Sequence, residues 1–432
     1  MKKYNQDSVQ LQLQQLHFKC RWAVADSSLL RAIARGEEVQ RGKAGRRLER
    51  LVRIFTRLKA PYLLLFAVGF FELTRLLLRQ LNTAEPRLPA STEHSPAPYP
   101  AYFFVGFGAG AEEYLFDRYC VDSRVPVARI KQTEPESMMA WHRISPIAGI
   151  SALFTSLALA RQAMNSLPEA CLPWKADFLT FVGMRLGSFS YYSAWFADLK
   201  EKAPYMEEVC FVSPDTSAFA AVNAMLQTRF LQHGLLAHSL IFPEFDSVDA
   251  ITADEASHLR YRLPRALVNL DAFPTVSIVT RNPECVLVTS IYGSNEEMLK
   301  VVPLLEFLVG KGLNIHVRPH PREDPEFWLS SIFSFDIVIE DSNEPFDAAI
   351  ERLRPSLVVS WFSTTLMEAL CSSTIPVSVS FLDDKNLVDT VYPIFARCLQ
   401  WPSNHEDLVV AMSSKSGYED VLSRLQLGVP VL

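Results

Sequence analysis

Short apolar runs alternate with longer amphipathic stretches through the second half of this chain. The runs predict strands at about 285–290, 313–318, 335–339, 356–361 and 375–379. The stretches between them predict helices at about 294–310, 324–332, 345–353 and 364–371. Strands and helices alternating at this spacing imply βαβ units around a parallel sheet. The first half is less regular. Tyr102-Phe-Phe-Val-Gly106 reads as a strand running into a glycine-rich turn; residues 125–130, 208–213 and 228–232 read as further strands, with a helix over 215–227. Residues 141–200, rich in Ser, Phe, Tyr and Trp, read as mostly helical. The pattern predicts two α/β domains, over 101–270 and 271–432, with a cleft between them and a boundary between Arg260 and Pro283.

Residues 1–82 follow a helical period. Arg46, Arg50, Arg53 and Arg57 share one side of a helix, while Leu48, Leu51, Val52, Phe55 and Leu58 gather on the other. An apolar run from Ala60 follows and stops at Glu72 and Arg75, short of the ~18 residues a membrane span needs. A basic amphipathic helix leading into such a run predicts attachment in the plane of a membrane surface through residues 41–78. The competing arrangement packs the apolar stripe on the body of the protein, with the arginines facing its acidic surface. Residues 83–100, dense in proline, predict a stiff linker.

Charge sharpens this division. The 432 residues carry a net −6, but residues 1–82 hold 16 Lys+Arg against 6 Asp+Glu, which leaves 26 against 42 for the rest. The head is thus +10 and the body −16, so an anionic partner is expected at the N-terminal end. No aromatic stacking surface accompanies the basic residues, which argues against nucleic acid. The seven cysteines are scattered without a Cys-x-x-Cys pair, and the polar start lacks an export segment. Both features predict free thiols in a cytoplasmic protein, held peripherally on the inner face of the membrane.

Candidate chemistry collects at strand ends. The strand over 313–318 stops in Arg318-Pro319-His320-Pro321-Arg322. Proline fixes that turn, the arginines suit a phosphate, and His320 can donate to a phosphate oxygen or protonate a leaving phosphate. The strand over 356–361 stops in Ser363-Thr364-Thr365, whose hydroxyls open a helix and suit a phosphate, with Glu368 one turn on as a partner for ribose hydroxyls. Thr365 and Glu368 also fit a capping box, in which both side chains would satisfy backbone amides. In the first half, His233 of Gln232-His233-Gly234 is a general base or acceptor-binding candidate. Glu112, Glu113 and Asp215, each just past a strand, are acidic base candidates, with Glu112 or Glu113 preferred. The Gly106-x-Gly108-x-Gly110 spacing departs from the dinucleotide fingerprint. No metal-ligand cluster stands at a strand end, so no metal or cofactor is expected.

These loops resemble those of GT-B glycosyltransferases in the broad group of bacterial surface-polysaccharide enzymes. That group includes bacterial sialyltransferases, capsule Kdo transferases and polyol-phosphate polymer transferases. Gln232-His233-Gly234 is similar to their QHG turn, Arg318-Pro-His-Pro321 to the HP motif that holds the donor phosphate, and Ser363-Thr-Thr365 with Glu368 to the Ser/Thr motif. The resemblance covers about residues 205–380. It implies two Rossmann-like domains facing a cleft, a metal-independent reaction and a CMP-sugar donor, with His320 assisting departure of CMP. The expected substrates are a nucleotide sugar, most simply an acidic one, and a glycolipid or lipid-linked acceptor such as a lipooligosaccharide. A UDP-hexose transferase, a CDP-polyol phosphotransferase, a sugar-nucleotide epimerase and a non-catalytic scaffold are the alternatives. The sialyltransferases carry an acidic pair followed by glycine, whereas Glu112-Glu113 is followed by Tyr114.

Overall fold

The structure, a computed structural model, describes the chain apart from residues 1–5, 27–28, 31, 34–41, 84–99, 107–114, 118, 121–126, 132–134, 140, 233, 235, 237–239, 271–279, 290–298, 321–324, 329–333, 362, 380–396, 402–403 and 427–432. It divides into two compact units: Met1–His233 with Ser239–Asp271, and Gly234–His238 with Ala272–Leu432. Each is built on a six-stranded sheet in which every pairing is parallel. Both are Rossmann-like.

In the first unit β1 (Tyr102–Gly106), β2 (Val127–Lys131), β3 (Glu208–Phe211), β4 (Thr228–Leu231), β5 (Ser247–Ala250) and β6 (Leu267–Leu270) lie in the order β2-β1-β3-β4-β5-β6. The period-2 pattern does not reveal β5 and β6, because each is four residues long, β5 buries the polar Asp249 and β6 buries only Val268. Asp249 is satisfied across the strands. Arg229 Nε donates to Asp249 Oδ2 at 2.7 Å, and Asn269 Nδ2 donates to Asp249 Oδ1 at 2.9 Å.

The second unit holds β7 (Asn282–Thr289), β8 (Asn314–Arg318), β9 (Ile337–Ile339), β10 (Pro355–Ser360), β11 (Ile375–Ser378) and β12 (Leu399–Gln400). Their order is β9-β8-β7-β10-β11-β12. Counted within this sheet the order is 3-2-1-4-5-6, doubly wound, and it reverses between β7 and β10. Central β10 is buried at all six positions, as its Leu-Val-Val run requires in a strand covered on both faces. Arg354, in the left-handed region at φ 50°, ends the Phe346–Leu353 helix, and Pro355 begins the strand.

The basic head is part of the first unit. The Pro61–Asn82 helix buries a stripe of Leu65, Gly69, Leu73, Leu76 and Gln80. Gln80 Nε2 donates to the Ile144 carbonyl at 2.9 Å, its Oε1 accepts from Ile144 N–H at 2.9 Å, and Tyr191 O–H donates to it at 3.0 Å. The stripe lies on the 28-residue Lys175–Lys202 helix, whose Phe196 in turn meets Phe211 of β3 with ring centroids 6.2 Å apart. The two helices approach through glycines. A Cβ on Gly187 would stand 2.6 Å from Glu72 Cβ and 2.8 Å from the Gly69 carbonyl oxygen. Gly187→Ala should therefore cost about 1–3 kcal/mol through overpacking. The check is a drop in unfolding temperature beside a Gly310→Ala control, where an added Cβ meets nothing within 4 Å.

Candidate active site

In open α/β sheets ligands bind outside the carboxyl ends of the strands, at the point where strand order reverses. In the second unit that point lies between Thr289, the last residue of β7, and Ser360, the last of β10, which are paired in register. The register continues outward. Arg318 of β8 pairs with Thr289, and Ser378 of β11 pairs with Ser360. The carboxyl edge of the sheet is thus a row of one guanidinium and three buried hydroxyls. Burial of three hydroxyls at a strand end is unusual for packing alone, and Ser360 Oγ, fully buried, has no hydrogen-bond partner among the described residues.

The loop after β10 extends this row. Thr289 Oγ1 and Thr365 Oγ1 are 2.8 Å apart, and Thr365 donates to Ser363 Oγ from its hydroxyl at 3.0 Å and its N–H at 3.3 Å. Ser363 Oγ accepts both bonds, so its own O–H is a donor that a ligand oxygen can use. The Thr365–Cys371 helix begins at Thr364, whose side chain makes no capping bond. Thr365 is therefore not the cap, and the capping-box arrangement does not form. Glu368 is left as a largely buried carboxyl. Burial pushes its pKa up to about 7, Asp347 adds to the rise, and the Arg318 guanidinium opposes it.

Arg318 is held rather than presented. Its Nε donates to the Glu344 carbonyl at 3.1 Å and its Nη2 to the Ser342 carbonyl at 3.1 Å. From the other side Arg352 donates to Glu340 and Glu344, each at 2.6 Å, and Glu340 accepts from His316 Nδ1 at 2.7 Å. The 340–344 loop is thereby fixed between two arginines. Burial pulls the Arg318 pKa down, while Glu368, Glu344 and Asp341 pull it back. Arg318 thus positions the loop and carries positive charge at the strand end.

His320 stands two residues beyond β8, half-buried. Pro321 and Arg322 lie outside the described residues, as do Glu112, Glu113 and His233. Gln232, described, is structural: its Oε1 accepts from the Ile251 N–H at 3.0 Å. Gly234 belongs to the second unit, and a Cβ added to it would lie 3.3 Å from Thr364 Oγ1. Asp215, a candidate base from sequence, caps the Thr216–Asn223 helix, accepting from Ser217 N–H at 2.9 Å and Ala218 N–H at 3.1 Å.

Residues 268–381 match the sequence profile of the alpha-2,8-polysialyltransferase family (POLYST). That span contains Thr289, Arg318, His320, Ser360, Ser363, Thr365, Glu368 and Ser378. The match supports a glycosyltransferase. No curated protein sequence matches the chain. Among solved structures, the glycosyltransferase SnogD from Streptomyces nogalater is similar at 11% identity, covering 76% of this chain and 94% of that one, with a TM-score of 0.44. A glycosyltransferase from Rickettsia africae is similar at 10% identity, covering 76% and 92%, with a TM-score of 0.39.

Thr289, Ser360, Ser378 and the 340–344 loop escaped sequence reading. Each hydroxyl is the last residue of an apolar run and looks like an ordinary strand terminus. Only register shows them side by side. A signal was available: three of the predicted strands in the second half end in Ser or Thr within a residue or two.

Proposed function

We propose that this protein transfers an acidic sugar from a CMP-linked donor to a glycolipid or lipid-linked glycan at the inner face of the cytoplasmic membrane. The observation that carries this reading is the hydroxyl row at the switch point of the second sheet. It is flanked by Arg318 and His320 and lies wholly within the span that matches the polysialyltransferase profile. The donor phosphate would be held by Ser363, Thr364, Thr365, His320 and Arg322, with the Arg318 charge behind them, and the ribose by Glu368. As the bond from the anomeric carbon to the phosphate oxygen breaks, His320 gives a proton to the departing CMP. An acceptor hydroxyl oxygen forms the new bond and loses its proton to a base. Glu113, Glu112 and His233 are the candidates for that base.

Without a metal in the reaction, fixed donors and the Arg318 charge must stabilise the leaving phosphate, which preorganised groups do well in a dry site. The test is an assay of CMP release by the full chain. It is supplied with a CMP-linked acidic sugar or a UDP-hexose, with and without a lipooligosaccharide acceptor. CMP release that depends on acceptor, with a labelled lipid product, is the expected result. Transfer from UDP-hexose instead would replace the donor assignment, and conversion of the donor without any acceptor would indicate an epimerase.

A further inference from the structure

We infer that the outer face of the helical layer in the first unit is a seat for an anionic lipid bilayer, on which the protein lies in the plane of one leaflet and does not cross it. The Pro61–Asn82 helix exposes Leu63 (65%), Phe70 (43%), Phe71 (71%), Leu78 (56%) and Leu81 (68%). At about 100° per residue these five fall within about 100° of one another, nearly opposite the buried stripe. A surface helix of a soluble protein is polar on that side. Here both sides are apolar and only one flank, with Glu72, Arg75 and Arg79, carries charge.

The face widens over the neighbouring helices. Phe154 of the Pro146–Asn165 helix is 57% exposed, and its ring lies 5.2 Å from that of Phe66. On the other flank the Lys43–Arg57 helix divides its apolar residues. Leu48, Val52 and Phe55 turn inward, while Leu51, Ile54 and, just past its end, Leu58 are exposed. The protein body thus takes only half of the stripe that the sequence shows, and the other half is left outward.

Two helices here, Pro61–Asn82 and Pro146–Asn165, are long and apolar enough to cross a membrane. The contacts of the first argue against a crossing. Gln80 is bonded to the Ile144 backbone and Tyr191, and Gly69 packs on Leu186 of a helix that lies on the β-sheet. A crossing would expose the polar body behind that helix to hydrocarbon. Lying flat, the helix meets lipid with its outer side only.

Charge selects a bilayer over a second copy. Lys43, Arg46, Arg47, Arg50 and Arg57 stand on the same helix as the exposed Leu51 and Ile54. Anionic headgroups match this row and repel the acidic remainder, which fixes orientation. Two copies face to face would bring their own arginine rows together.

The test is flotation of the full chain with phosphatidylcholine vesicles, with and without phosphatidylglycerol. Two double variants are compared, Phe71→Ser with Leu78→Ser and Arg47→Glu with Arg50→Glu, all at exposed positions. Binding to the anionic vesicles is expected, weakened by salt, lowered about tenfold or more by either variant, and reversed by alkaline carbonate. Undiminished binding by both variants, or resistance to carbonate, would overturn the in-plane seat. So would a dimer in solution that Phe71→Ser with Leu78→Ser converts to a monomer. Flotation needs no catalysis, so its failure and failure of the transfer reading are separate results.

Discussion

Replacing His320 with alanine is expected to lower the rate of sugar transfer by about 10²–10⁴-fold, the usual contribution of a positioned general acid. The unfolding temperature should stay near that of the native protein. His320 is half-buried, follows the last ladder residue of β8 by two positions, and is not among the described residues of the large apolar cluster of its unit. A second variant separates its two roles. His320→Asn keeps a hydrogen-bond donor but cannot give up a proton to the leaving phosphate. If His320 acts as an acid, asparagine should restore donor binding, read as KM, and leave kcat low. Recovery of kcat as well would mean that the side chain only holds the phosphate. The transfer rate, measured at saturating donor for all three proteins, decides between them.

Glu368 should show opposite effects on stability and function. Its carboxyl titrates at about 7 in the folded protein against an ordinary 4.5. A folded-state pKa above the unfolded one means that the native state binds the proton more tightly. The stabilisation is complete below about pH 4.5 and is lost as pH rises through 7. At one pKa unit per about 1.4 kcal/mol, the full loss approaches about 3 kcal/mol, less what residual solvent exposure screens. Glu368→Gln removes the ionising group without changing its shape. That variant should be more stable than the native protein by about 1–3 kcal/mol at pH 8, with the gap closing at pH 4. It should bind nucleotide less well. In the proposed role the ionised form accepts from ribose hydroxyls, so native affinity should rise with pH through 7 and the variant's should not. Denaturant melts and nucleotide titrations at the two pH values test both halves. Equal stability at pH 8 would mean that the carboxylate is already compensated within the protein.

A site that lowers stability at working pH is also a site that a sequence shows poorly. The βαβ alternation of the second half is legible because fully buried parallel strands demand apolar runs such as Leu357-Val-Val359, and covering helices demand amphipathic ones. The two candidate loops stand out in the sequence where turn chemistry is concentrated, as at Arg318-Pro-His and Ser363-Thr-Thr365. Position in the sheet is another matter. That β7 lies beside β10, and that Thr289 and Ser360 therefore meet, depends on strand order. Nothing local to either strand encodes it. Arg318 reads as a phosphate ligand because an arginine beside a turn looks available, yet its guanidinium is engaged by carbonyls 24 and 26 residues away in the chain. In the first unit, buried Asp249 breaks the apolar run of β5 and is satisfied by Arg229 and Asn269 on the neighbouring strands. The N-terminal helices are legible as amphipathic. Which of their apolar residues turn inward is set by Gly69, Gly183 and Gly187, which let neighbouring helices and side chains approach closely.

The most direct test of the central claim, a CMP site at the switch point of the second sheet, is a thermal shift of the full chain with CMP, CDP, UDP and GDP. Native protein and His320→Ala are run side by side. A ligand at 100 times its dissociation constant adds about 2.7 kcal/mol to the folded state, enough to read without ambiguity. The predicted result is a rise in unfolding temperature with CMP, smaller or absent with UDP and GDP, and reduced in His320→Ala. No rise with any nucleotide, or a rise with CMP that the substitution leaves unchanged, would contradict it.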